Sequence, residues 1–77
     1  MLGLEGRLAQ LIEEARTLGS GATVETVGGL QYTLGSLDLE LETGSADRRR
    51  ELGRLRREAG LLLADAHARA VLARDFG

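Results

Sequence analysis

The stretch from Ala46 to about Arg74 reads as one continuous helix, and it constrains the fold more than any other feature of the chain. At about 1.5 Å per residue it is roughly 45 Å long. Ser45 suits its N-cap, and Asp47 sits in the first turn, where the helix dipole favours an acid. Two apolar strips run along it. Leu52, Leu55, Ala59, Leu62, Leu63, Ala66, Ala70 and Ala73 form one. From Leu61 onward a second strip, Leu61, Ala64, Ala68, Val71 and Leu72, lies nearly opposite. A helix apolar on two sides is either sandwiched or pairs with another chain. A sequence of 77 residues holds one domain at most. The reading is therefore a single small domain, 1–77, whose segment 61–75 overhangs the core for partner contact.

Residues 3–18 read as a first helix. Leu4, Leu8, Leu11, Ile12, Ala15 and Leu18 follow the spacing of one apolar stripe, with Glu5, Glu13, Glu14 and Arg16 off it. Gly19 follows where a helix end favours glycine.

The middle third changes period. Leu30-Gln31-Tyr32-Thr33-Leu34 alternates, as does Leu37-Asp38-Leu39-Glu40-Leu41-Glu42. Gly35-Ser36 between them suits a two-residue hairpin turn. That register sets Leu34 against Leu37, Tyr32 against Leu39 and Leu30 against Leu41, all on one apolar face. Thr23–Val27 with Gly28-Gly29 offers a further strand, so the sheet has two strands or three. The expected fold class is α+β, a helix, a β-hairpin and a long helix. A hairpin is marginal alone and would need both helices on its apolar face.

Composition narrows function. There is no Cys, which excludes disulfides and thiolate metal sites, and one His, which leaves a zinc site short of imidazoles. There is no Lys, Asn, Pro or Trp either, a bias that fits a G+C-rich bacterial or phage genome. No stretch approaches the ~20 apolar residues of a membrane span, and Met1-Leu2-Gly3-Leu4-Glu5 has no basic leader, so a cytoplasmic protein is expected.

The chemical motifs are weak. Gly19-Ser20-Gly21 lacks the third glycine of a dinucleotide loop and sits in helix–turn–strand order. His67 has Asp65 and Arg69 nearby but no convergent set, so it reads as a surface histidine. Asp38, Glu40 and Glu42 read as a solvated sheet face. Asp75-Phe76-Gly77 repeats a kinase tripeptide with no other kinase part. The basic run is the one charge feature of note: Arg48, Arg49, Arg50, Arg54, Arg56 and Arg57 fall within ten residues. Asp47, Glu51 and Glu58 interleave, and no aromatic accompanies them, so a solvated or protein-docking face is preferred to nucleic acid. Arg48, Arg49, Arg50, Arg54 and Arg57 remain candidates for phosphate or an acidic partner. No nucleophile has a base, so no catalytic, metal or cofactor site is expected, and the protein reads as a non-enzyme.

Ser20-Gly21-Ala22, Val24, Val27, Gly28-Gly29, Tyr32-Thr33 and Ser36-Leu37-Asp38 together resemble the head-completion proteins of lambda-like tailed phages, over about residues 8–41. That resemblance implies a small adaptor that joins a phage head to its tail, and hence a virion protein. Leu18-Gly19, Val24, Val27, Gly28-Gly29, Leu30 and Tyr32 are also similar to the N-terminal docking domains of modular peptide and polyketide synthases. That implies a partner peptide along a hairpin edge. A third reading is a small dimeric regulator or inhibitor, antitoxin-like or anti-defence, which pairs through its last helix and uses Asp38, Glu40 and Glu42 as an acidic decoy. All three place function in protein–protein contact, with no small-molecule substrate and no membrane.

Overall fold

The computed structural model describes residues 3–76; the readings made at Met1, Leu2 and Gly77 lie outside it. The described chain is helical from end to end. Helix α1 spans Leu4–Leu18, α2 spans Val24–Glu42 and α3 spans Ala46–Phe76, with one 3-10 turn at Gly19–Gly21. The expected α+β class is therefore wrong, and no strand occurs among the described residues.

The correction falls on the middle third. Val27, Leu30, Leu34, Leu37 and Leu41 are spaced by alternating steps of three and four, which is the stripe of an amphipathic helix. Val27, Leu34 and Leu37 are buried, and Leu30 and Leu41 pack half-buried against the core. Tyr32 and Leu39 fit only the alternating pattern, and they stand 80% and 66% exposed. Gly35-Ser36 is not a turn: the only positive-φ glycine in the described chain is Gly19, at φ +50°. Thr23 starts α2 with a reciprocal cap. Its Oγ1 accepts from the Thr26 N–H at 3.1 Å, and the Thr26 Oγ1 accepts from the Thr23 N–H at 2.9 Å. Two backbone donors that a helix start leaves unpaired are thereby satisfied. The residues from Val24 to Asp38 that carry both family resemblances as strands and turns are all helix, so the parts of those resemblances that need a hairpin are withdrawn. The hairpin docking module goes with them.

The other two helices form as their stripes dictate. Leu4, Leu8, Leu11, Ile12 and Ala15 of α1 are buried. Gly19 ends the helix in a backbone conformation that side-chain-bearing residues rarely adopt. Thr43, Gly44 and Ser45 separate α2 from α3. The Ser45 Oγ accepts from the Arg48 N–H at 3.1 Å, which caps α3.

Ion pairs give the topology. Arg7, near the start of α1, pairs with Glu40, near the end of α2. Arg16, near the end of α1, pairs with Glu58, in the first half of α3. Helices α1 and α3 thus run in one direction and α2 in the other. Their shared core joins Leu8, Leu11 and Ile12 to Val27, Leu34 and Leu37 and to Leu52, Ala59, Leu63 and Ala66. Among the described residues no polar or charged one is buried with them.

The molecule measures 44 × 20 × 17 Å. Helix α3, with 31 residues, is about 46 Å long and accounts for the long dimension. Its inner stripe is buried as far as Ala70, save Leu55 and Leu62, which are half-buried. Val71 is half-buried, and Leu72 to Phe76 are exposed. Ala73, expected in the inner stripe, is among the exposed residues.

Candidate functional site: the outer face of the third helix

Helix α3 is held from one side only. Leu52, Ala59, Leu63, Ala66 and Ala70 point into the bundle, with Leu55 and Leu62 half-buried at the edge of that stripe. Successive residues turn by about 100°, so the residues on the opposite side of α3 point away. The five candidate partner-binding residues fall there. Leu61 is 66% exposed and Leu72 is 56% exposed. Ala64 and Ala68 are exposed between them, and Val71 is half-buried at the margin. Phe76, one turn beyond Leu72, is exposed as well. It was not among the candidates, although its i+4 spacing from Leu72 is visible in the sequence. Single exposed leucines are ordinary on a protein surface, but an aligned series on one helix face is a recognition feature.

The arginine run does not act as one cluster. The Arg49 Nη1 donates to the backbone oxygens of Gly44 at 2.7 Å and of Glu42 at 3.1 Å. It thus satisfies carbonyls that the end of α2 leaves unpaired. Arg50 pairs with Asp47 at 2.9 Å. Arg56 reaches across to α2 and holds both oxygens of Asp38, at 2.8 and 2.9 Å. Those hydrogen bonds raise the pKa of Arg56 above its ordinary value, against the lowering effect of burial. Arg48, Arg54 and Arg57 remain exposed and make no ion pair with another described residue. Of the five arginines proposed for phosphate or an acidic partner, these three are free for that role, while Arg49 and Arg50 have local work.

The acidic decoy face is also dissolved. Asp38 is taken by Arg56 and Glu40 by Arg7. Helical spacing, unlike strand spacing, keeps only Asp38 and Glu42, four residues apart, on one face and turns Glu40 to another.

A groove of about 820 Å³ runs between α2 and α3. Leu34, Leu41 and Leu63 line its floor, Asp38 and Arg56 bridge it, and Leu61 stands at its edge. At Gly60 the Arg56 guanidinium occupies the position that a side chain would take. Of the groove's polar groups, Asp38 and Arg56 are engaged with each other and Arg49 with backbone carbonyls, while Gln31, Glu42 and Arg57 also line it. His67 is exposed, and its neighbours Asp65 and Arg69 pair with each other at 2.9 Å. No group of three or more His, Cys, Asp or Glu residues that could hold a metal ion occurs among the described residues. No helix there is long and apolar enough to cross a membrane.

Compared with protein-family models, with curated proteins and with solved structures, the chain matches none of them.

Proposed function

We propose that this protein is a non-enzymatic interaction module, a small assembly adaptor that works by presenting the outer face of α3 to a protein partner. The observation that carries the reading is the exposed series Leu61, Ala64, Ala68 and Leu72 on a helix longer than the bundle that holds it. An apolar helix face left in water is costly, and a partner groove or helix removes that cost. Two of the acids on α2 are tied into structural pairs, Asp38 with Arg56 and Glu40 with Arg7. The reading takes the cytoplasm as the working compartment.

The test is site-specific photo-crosslinking in the cells that make the protein. A crosslinking residue in place of Ala68 is expected to give a defined protein adduct. The same group in place of Glu13, exposed on α1, is expected to give none. Adding Leu61→Asp should abolish the Ala68 adduct without changing the helical content. Equal labelling from Ala68 and Glu13, or no adduct from Ala68, would overturn the reading.

A further inference from the structure

The outer face of α3 is complementary to itself. In chain order it reads Arg57, Leu61, Ala64, Ala68, Leu72 and Asp75, basic at one end, apolar in the middle and acidic at the other. All six are exposed. Place a second copy of α3 antiparallel on this face, with the two-fold axis crossing at the level of Ala66. Ala64 then lies opposite the partner's Ala68 and Arg57 opposite the partner's Asp75, and Leu61 comes within one residue's rise, about 1.5 Å, of the level of the partner's Leu72. Each match occurs twice, as a two-fold interface requires. Alanines at the centre let two helices approach closely, and leucines on either side fill the space where they diverge. The apolar segment from Leu61 to Leu72 is about 16 Å long, and an ion pair closes it at each end.

The charges favour this direction over the parallel one. Parallel pairing would set Arg57 against Arg57 and Asp75 against Asp75, like charge on like. The helix dipole adds to the preference, because the negative C-terminal end of each α3 would lie beside the Arg54 and Arg57 of the other. Arg57 has no ion-pair partner among the described residues, and the contact of Asp75 with the adjacent Arg74 is loose, at 3.8 Å.

We infer that the partner of this face is a second copy of the chain, bound antiparallel through α3 in the register Leu61–Leu72, Ala64–Ala68 and Arg57–Asp75. The inference rests on the reading of α3 as the interaction surface and names its occupant.

Cysteine cross-linking tests it, because the chain has no Cys of its own. Ala64→Cys and Ala68→Cys are made separately and oxidised alone and as a mixture. Antiparallel pairing predicts that the mixed disulfide, which joins the Ala64→Cys chain to the Ala68→Cys chain, forms in preference to either self-product. Equilibrium sedimentation of the charge variants supplies the second readout. Arg57→Asp should weaken self-association about tenfold or more, and Arg57→Asp with Asp75→Arg should restore it. All these positions are exposed, so circular dichroism should show unchanged folding. Preferential self-products, or a double charge variant no better than the single one, would overturn the proposal. So would a chain that stays monomeric at every concentration. If the Ala68 photo-crosslink then captures a different protein, the interaction reading survives and only the second copy is lost. If Ala68 captures nothing, both fail.

Discussion

The guanidinium of Arg56 lies where a side chain on Gly60 would have to be. A Cβ added to Gly60 would fall 2.5 Å from the Arg56 Nη1. The two residues are one helical turn apart, so the glycine lets the arginine fold down along α3 and reach Asp38 on α2. Alanine in place of a helical glycine ordinarily stabilises by about 1 kcal/mol. Here it must also displace the arginine, whose ion pair with Asp38 is partly exposed and worth on the order of 1 kcal/mol. Gly60→Ala should therefore be nearly neutral in the native protein. In an Asp38→Asn background the arginine is free to move, and the same substitution should regain most of its ordinary benefit. Chemical denaturation of the four proteins of this cycle measures the coupling. Gly28→Ala, where nothing lies within 4 Å of the added carbon, supplies the uncoupled reference.

Leu63 and Leu39 separate the helical fold from a hairpin. Leu63 is 1% exposed, at the centre of the core. Leu63→Ala should cost roughly 2–5 kcal/mol. A domain of this size has about that much stability to lose, so the variant should be largely unfolded at room temperature. Leu39 is exposed on α2, and Leu39→Ala should change stability by less than about 0.5 kcal/mol. A hairpin would bury Leu39 against Tyr32 and reverse that expectation. Thermal melts by circular dichroism decide between the two.

Arg49 and Arg48 are neighbours in sequence with different roles. Arg49→Ala removes both hydrogen bonds to the carbonyls at the end of α2 and should cost about 1 kcal/mol. Arg48→Ala should leave the melting temperature unchanged. Equal losses at the two positions would contradict the division of the arginine run into structural and free members.

Thr23 offers a local test of the start of α2. Thr23→Ala removes the side-chain half of the reciprocal cap and should cost about 1 kcal/mol. Hydrogen exchange at the first turn of α2 should speed up more than exchange in α3.

How much of this was legible in the sequence differs from helix to helix. In α1 the stripe from Leu4 to Leu18 has one period and a glycine stop, and it folds as read. In α3 both strips were legible, because apolar residues recur on opposite sides of a long run with no proline. The segment from Thr23 to Glu42 carries two periods at once. Leu30, Leu34, Leu37 and Leu41 satisfy both, and only Tyr32 and Leu39 distinguish them. The Gly35-Ser36 pair tips the local preference toward a turn. Packing tips it back, because α1 and α3 each need a long apolar stripe to cover, and a helix running from Val27 to Leu41 supplies one. The Thr23–Thr26 cap was a local sign of that helix. The Asp38–Arg56 bridge could not be read at all, since the residues are eighteen apart and meet only once α2 and α3 are known to run antiparallel.

The outer face of α3 is the centre of the account, and Leu72 tests it most directly. Light scattering across a concentration series should show the native chain rising from its 8.2 kDa monomer toward twice that mass. Leu72→Asp should stay at the monomer mass and keep the native melting curve. A variant that associates as strongly as the native chain, or that unfolds as a monomer because Leu72 belongs to the core, would contradict it.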